Sequence, residues 1–437
     1  MEQLRITGGI PLRGSVAISG SKNAALPAMA AALLSEQPVS LRNVPDIEDI
    51  GTMASMLRHL GVRADDAGDH RWIIDAGGLS TSAVGADLTR RLRGSFLLLG
   101  ALVARTGEAV IARPGGDDIG MRRVEQHLEG LRLMGAEVSE TAESYVARAR
   151  RLRGAEIVLD MPTVTGTENL VMAAALADGI TVIQNAAREP HVVDLARCLA
   201  GMGLRISGAG TETIIVVGTG GSPLHGTDHS VTTDYVEAGT WMVAAAATGG
   251  DVVVDHMRPT DVRFVIAKLR AAGCEVVEGA GHVRVRRSGR LRAVDMTTWP
   301  HPGFATDLQS QFTALMTQAE GRSIVSEAVF ENRFRHVAEL RRLGAVIALE
   351  GRSAVIDGPT ALRGAMAAIP DIRSGAALVV AGLCAHGVTV LDDVFHLDRG
   401  YEALEQKLGA LGATLERVQP DGDAEAAARD FSGVVGD

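Results

Sequence analysis

Blocks of small apolar residues recur along the chain at 24–34, 96–104, 169–177, 238–247, 309–319 and 375–385. Each block predicts a helix, and each leads to a short β-branched run, such as 180–183, 251–254 or 388–391, that predicts a strand. A second helical segment follows and closes on a Leu- or Met-rich turn with a glycine behind it: Gly61, Gly135, Gly203, Gly273, Gly344 and Gly412. Glycine just past a helix takes up the left-handed turn that stops it. The spacings between these glycines are 74, 68, 70, 71 and 68 residues. A strand and hairpin come next, as at 136–139 and 345–349. The chain therefore reads as six units of about 70 residues, each running helix, strand, helix, two strands.

No single unit can cover its own apolar faces. The pattern predicts an α/β protein whose small-residue helices pack together inside, with sheets outside. A single doubly wound sheet fits the regular period poorly. The length of 437 residues predicts two or more domains. The halves meet near the Gly-rich stretch 218–221 and Thr232-Thr233-Asp234, where the glycines form a turn rather than a nucleotide loop. Net charge is −10, and aromatics make up 3% of the chain. Both argue against nucleic acid as a partner, so basic residues must act locally. The apolar runs are too short to span a bilayer, and 1–6 begins a strand rather than a signal peptide. Cys198, Cys274 and Cys384 have no metal spacing and read as buried, reduced thiols of a cytoplasmic protein. After Arg417 the chain turns small and polar, which predicts a frayed tail from 418 to 437.

The starts of the repeated helices carry the candidate chemistry. The first is Ile18-Ser19-Gly20-Ser21-Lys22-Asn23-Ala24-Ala25. Ser21 or Asn23 can cap that helix, and Lys22 adds a full charge to its positive end, a corner suited to an anion. The equivalent corners show Arg93, Thr165-Gly166, Asp234, Asp307 and Asp371. Asp there is also an ordinary N-cap, so both readings stand at each position. Arginines stand near the second helices: Arg122, Arg263, Arg333 and Arg399, with Arg373 beside Asp371. Equivalent corners of quasi-symmetric units converge on one face. If the halves face each other, cations and carboxylates line one cleft, which suits a doubly anionic substrate and a hydroxyl that must lose a proton. Arg113-Pro114-Gly115-Gly116-Asp117-Asp118-Ile119-Gly120-Met121-Arg122-Arg123 reads as a lid loop carrying Asp117 and Arg122, or as a tight surface turn capping the next helix.

These segments resemble a known family. Ser19 to Ala25, the Pro-Gly-Gly-Asp loop, Thr306-Asp307, Phe330-Glu331-Asn332-Arg333-Phe334, Asp371-Ile372-Arg373 and His396-Leu397-Asp398-Arg399-Gly400-Tyr401 occur in the order found in UDP-N-acetylglucosamine 1-carboxyvinyltransferases (enolpyruvyl transferases). The resemblance covers residues 4 to about 417. It implies two inside-out α/β barrels of three repeats each: one domain of 22–231, with its lid at about 112–123, and another of 1–21 plus 232–437, with the active site in the cleft between them. It implies transfer of the enolpyruvyl group of phosphoenolpyruvate to the 3′-hydroxyl of UDP-N-acetylglucosamine with release of phosphate, the first committed step of peptidoglycan synthesis. No metal and no cofactor is called for.

Roles follow position by position. Lys22, Arg122 and Arg399 match the phosphoenolpyruvate ligands, with Arg333 and Arg373 assisting, and Asn23 matches the partner of Lys22. Arg93, the segment Arg122, Arg123, Val124, Glu125 and Gln126, and the segment Thr163, Val164, Thr165 and Gly166 sit where the family holds the uridine diphosphate. Val329 and Asp371 match further substrate positions. Asp307 matches the base that accepts the 3′-hydroxyl proton. Asp117 stands where most members carry the cysteine that fosfomycin alkylates, and it matches the acid that protonates C3. The resemblance therefore implies a fosfomycin-insensitive enzyme. Departures cluster on the nucleotide side: Arg123 replaces a usual proline, Glu125-Gln126 a shorter acid and an apolar residue, Tyr235 a usual arginine and Thr165 a common glycine. The alternatives are transfer to a different uridine nucleotide and a catalytically silent nucleotide-binding paralogue. The sister enzyme acting on shikimate 3-phosphate shares the fold, but its motifs match poorly.

Overall fold

The computed structural model describes residues 2–419, and the expected tail beyond them lies outside the described residues. Val418 still belongs to a strand, Thr414–Val418, so ordered chain runs one residue further than the composition predicts. All six repeat glycines adopt positive φ, between +87° and +98°. Each closes a helix as the spacing requires.

The described chain divides into two compact units. One comprises Ile18–Glu237 and Trp299–Thr306; the other comprises the described parts of Met1–Ala17, Ala238–Thr298 and Asp307–Asp437. These divisions fall at 17/18 and 237/238, a few residues from the expected 21/22 and 231/232.

Each unit has three separate sheets among the described residues, and no sheet closes into a barrel of its own. Among the described residues five of the six sheets hold four strands and one holds five, rather than the three that the pattern predicts. The additional strand is parallel to the middle strand. In the unit 18–237 these extra strands are Asp228–Ser230 beside Val39–Arg42, Ala83–Val84 beside Glu108–Ala112, and Glu156–Val158 beside Ile180–Gln184. In the other unit Arg13–Ala17 lies beside Asp251–Asp255, and Met366–Ala368 beside Val388–Asp392. Leu291–Arg292 and Met296–Thr297 both lie beside Ala319–Ser326. That last strand begins where the helix was expected to continue; the helix itself ends at Met316. The strand Gln3–Thr7 inserts between Val388–Asp392 and Thr414–Val418, antiparallel to both, so the first and last strands of the described residues share one sheet.

Register puts one face of every sheet on the core. Val39 pairs with Ile74, Ile183 with Ile214, Val252 with Val285 and Leu4 with Leu391, all of them fully buried. Two of the small-residue helices are buried all round: every residue of Gln309–Met316 is buried, as is Ile372–Cys384 up to its last residue. Those two helices pack together, and so do Leu98–Thr106 and Val164–Ala175. The second contact depends on Gly100, where a Cβ would lie 2.2 Å from the Asn169 carbonyl oxygen. The stretch 218–221 is the expected turn, and its amides cap the C-terminal end of the helix Val164–Ala175: Thr219, Gly220 and Gly221 donate to the carbonyls of Ala175, Ala177 and Leu176.

Candidate functional site

In the unit 18–237, Lys22 opens the helix Lys22–Ala31. Ser21 holds the N-cap position but makes no side-chain cap, contrary to the sequence expectation. Lys22, the first helical residue, instead points its ammonium at another helix: its Nζ donates to Asp49 Oδ2 at 2.8 Å. Both side chains are buried, 11% and 3% exposed. Asn23 follows, half-buried, in the first turn.

Arg93 begins the 3-10 turn Arg93–Leu97 and donates to the Arg122 carbonyl. Gly116 lies directly over it: a Cβ there would sit 2.8 Å from Arg93 Cβ and 3.3 Å from Arg122 Nη1. The segment 113–124 contains no helix or strand. Its base is pinned by Arg113, which donates to Tyr145 Oη at 2.8 Å and Glu140 Oε1 at 2.6 Å. Asp117 is half-buried on this segment, and Arg123 is exposed. Val124 is buried and occupies the N-cap position of Glu125–Leu133.

The two segments expected to hold a nucleotide meet. Gln126 donates through Nε2 to the Met161 carbonyl at 3.3 Å and accepts from Met161 N–H at 3.4 Å. Thr163 caps the helix Val164–Ala175 by accepting from Gly166 N–H at 3.3 Å. Thr165 Oγ1 lies 3.4 Å from His127 Nε2. A helix N-terminus with a hydroxyl in its first turn is thus built beside Arg93 and Gln126, an arrangement that can hold an anion.

The three corner carboxylates of the sequence, Asp307 and Asp371 of the other unit and Asp234 of the unit 18–237, take different roles. Asp371 is a cap: its Oδ1 accepts from Arg373 and Ser374 N–H at 3.0 Å each, and its Oδ2 accepts from Ser374 Oγ at 2.5 Å. Asp371 therefore orients the helix that carries Arg373. Asp234, in the unit 18–237, caps in the same way, accepting from Val236 and Glu237 N–H at 2.7 and 3.1 Å. Asp307 is different. Its Oδ1 accepts from Arg333 Nη2 at 2.5 Å, and its Oδ2 accepts from Arg373 Nε and Nη2 at 3.1 and 2.8 Å. The arginine side chains are 5% and 7% exposed, that of Asp307 26%. A carboxylate open to solvent therefore lies between two buried guanidiniums. Arg399 is half-buried in the turn after Phe395–Asp398. That turn approaches Arg373 because residue 400 is glycine: a Cβ there would lie 2.8 Å from Ile372 Cγ2 and 4.0 Å from Arg373 Nη1. Val329 sits in a loop shaped by buried Glu327, whose Oε1 accepts from Val329 N–H at 2.7 Å, Phe330 N–H at 3.0 Å and Thr298 Oγ1 at 2.8 Å.

The profile of EPSP synthase (3-phosphoshikimate 1-carboxyvinyltransferase) matches residues 6–408. The chain belongs to the EPSP synthase family of enolpyruvyl transferases. Members of this family are enzymes that carry out carboxyvinyl transfer, and this chain is one of them. It is similar to a UDP-N-acetylglucosamine 1-carboxyvinyltransferase of Magnetococcus marinus, with 49% identity over 96% of this chain and 100% of that one. Among solved structures, the enolpyruvyl transferase NikO from Streptomyces tendae superposes with a TM-score of 0.86 at 29% identity, covering 96% of this chain and 99% of that one. EPSP synthase from Acinetobacter baumannii superposes with a TM-score of 0.73 at 20% identity, covering 96% and 100%, and shows the shared fold. Among the described residues no helix of this family member is long and apolar enough to cross a membrane, and no group of three or more His, Cys, Asp or Glu could hold a metal ion.

Several supporting residues escape sequence reading. Asp49, partner of Lys22, lies 27 positions away on another helix. Tyr401 Oη, Thr240 Oγ1 and Gln311 Nε2 form a buried node, and Gln311 also donates to the Asp307 carbonyl at 3.1 Å. Arg417 donates to both oxygens of Asp398 at 2.9 and 2.7 Å and to Glu405 and Glu2 at 2.6 and 3.0 Å, fixing the residue before Arg399. Polar residues inside otherwise apolar small-residue blocks, such as Asn169 and Gln311, were the available signal. Cys198 and Cys274 are buried as expected, whereas Cys384 is only half-buried at the end of its helix.

Proposed function

We propose that this enzyme transfers the enolpyruvyl group of phosphoenolpyruvate to the 3′-hydroxyl of UDP-N-acetylglucosamine and releases phosphate. The observation that carries the reading is the 49% identity, over 96% of the chain, to a protein named for that acceptor. The Asp307 arrangement supports it. Phosphoenolpyruvate brings a phosphate and a carboxylate, and Lys22, Arg122, Arg333, Arg373 and Arg399 supply the charges to hold them. When substrate anions draw on Arg333 and Arg373, Asp307 regains a lone pair. It is then free to accept the 3′-hydroxyl proton as the oxygen bonds to C2. Asp117 donates a proton to C3, which leaves C2 cationic and open to attack. The tetrahedral ketal then expels phosphate while C3 returns a proton to the Asp117 carboxylate, which restores the C2=C3 double bond. Loss of water around Asp117 on substrate binding raises its pKa toward that role.

On this reading Asn23 pairs with Lys22 at the substrate. Arg93, the segment Arg122 to Gln126 and the segment Thr163 to Gly166 hold the diphosphate and uridine, and Val329 lies beside the acceptor. Asp371 acts through Arg373, which it positions. The reading places the enzyme in the cytoplasm, a compartment that suits its three unpaired cysteines. The test is phosphate release from phosphoenolpyruvate in the presence of UDP-N-acetylglucosamine, UMP or uridine. Release dependent on UDP-N-acetylglucosamine is expected. Release with another nucleotide alone would overturn the acceptor, and no release with any would overturn the activity.

A further inference from the structure

The helix Val164–Ala175 carries an amide in its buried interior, Asn169, 1% exposed. Its Oδ1 accepts from Gly100 N–H at 2.5 Å, and its Nδ2 donates to the Phe96 carbonyl at 2.6 Å. Two backbone groups of opposite polarity thus settle which end of the amide is which. The same Nδ2 lies 3.1 Å from His127 Nδ1. An amide NH2 only donates, so Nδ1 must present its lone pair. His127 is 2% exposed and packs edge-on against Phe96, with ring centroids 5.0 Å apart. Burial, and then the Arg93 charge, push its pKa down to about 3, so the ring is neutral at physiological pH. A neutral imidazole with its lone pair on Nδ1 carries its proton on Nε2, the atom 3.4 Å from Thr165 Oγ1. The Thr165 oxygen therefore receives a hydrogen from inside the protein, and its own hydrogen must point elsewhere. Among the described residues it has no second side-chain or backbone partner, and it stands half-buried in the first turn of the helix.

We infer that His127 is a positioning residue: the relay Gly100, Asn169, His127 sets the polarity of the Thr165 hydroxyl and makes it an obligate donor toward a phosphoryl oxygen of the bound acceptor nucleotide. The inference rests on the nucleotide reading of Thr165 given above. It accounts for a threonine where a glycine is usual: the side chain adds one directed donor to the backbone donors of the helix end.

The test has two arms on the full chain. In the first, long-range ¹⁵N–¹H spectra of ¹⁵N-histidine-labelled, ligand-free protein report the His127 tautomer, assigned by the resonance lost in His127→Gln. The Nε2–H form between pH 6 and 8 is expected, and an Nδ1–H or doubly protonated ring would overturn the inference. In the second, UDP-N-acetylglucosamine binding is titrated calorimetrically, and KM is measured for both substrates. Thr165→Val should weaken nucleotide binding roughly tenfold or more, the scale of a hydrogen bond to a charged group. It should raise KM for the nucleotide more than KM for phosphoenolpyruvate. Thr165→Ser should restore binding. His127→Gln, which keeps a donor near the Nε2 position, should bind better than His127→Phe. The double variant His127→Phe/Thr165→Val should bind no worse than Thr165→Val alone. Wild-type nucleotide affinity in Thr165→Val, or additive losses in the double variant, would overturn the inference. Failure of the acceptor reading itself shows separately, as absence of nucleotide binding to the wild type alongside an intact Nε2–H tautomer.

Discussion

Replacing Asp307 by Asn removes one negative charge and keeps the shape. In the structure that charge receives three hydrogen bonds from Arg333 and Arg373. Each charge-assisted bond contributes about 1.5–3 kcal/mol, and breaking a buried ion pair costs about 3–5 kcal/mol. Asn keeps one acceptor oxygen, and the site is 26% exposed on the Asp307 side, so the lower end applies. A loss of about 2–3 kcal/mol is expected, a fall in Tm of about 4–12 °C for a unit of this size. Turnover should drop about a hundredfold or more, because the amide cannot take the hydroxyl proton. A third consequence separates this account from simple destabilisation. With Asp307 gone, two buried guanidiniums lack their counter-charge, so inorganic phosphate should raise the Tm of the variant more than that of the wild type. Phosphate release, thermal unfolding and unfolding in a phosphate series test all three. Turnover within threefold of wild type would show that Asp307 is not the base. Equal phosphate responses would show that the arginine pair is not an anion site uncovered by its removal.

Asp117→Asn should lose roughly a hundredfold in turnover if Asp117 delivers the C3 proton, and Asp117→Cys should stay active and become sensitive to fosfomycin. The wild type should gain no fosfomycin mass, because burial pushes the thiols of Cys198 and Cys384 up to about 12 and that of Cys274 up to about 11, which leaves almost no thiolate; an adduct on any of them by intact-mass analysis would refute this. Glu168 is fully buried, with Oε1 unpartnered, and burial followed by the Glu189 charge raises its pKa well above 4.5. The stability it brings is therefore complete below about 4.5 and lost as pH rises through the folded value, so Glu168→Gln should gain Tm over wild type increasingly from pH 5 to 8, and a gain that shrinks with pH would contradict it. Asp49→Ala strands the buried Lys22 charge and should cost about 3–5 kcal/mol in urea unfolding; a loss under 0.5 kcal/mol, roughly the size of a neutral surface change, would mean that Lys22 finds water or another partner.

Much of this protein is written locally. Six glycines that stop helices at a period near 70 residues needed no partner to be read, because a left-handed turn is a property of one residue and its neighbours, and all six show positive φ. The small-residue helices and β-branched strands were legible for the same reason. Strand partnership was not. Arg13–Ala17 joins Asp251–Asp255, and Gln3–Thr7 lies between Val388–Asp392 and Thr414–Val418. Those pairings close over hundreds of residues, and nothing in a short strand names its distant neighbour. The corner carboxylates make the same division. Asp234, Asp307 and Asp371 look alike in sequence, and each could cap a helix. Only the tertiary structure makes Asp234 and Asp371 caps and turns Asp307 onto two arginines, because a side chain bonds to whatever packing brings within reach. The polarity of Thr165 is likewise decided by Gly100 and Phe96, some 70 residues away, through two side chains that no spacing rule would join.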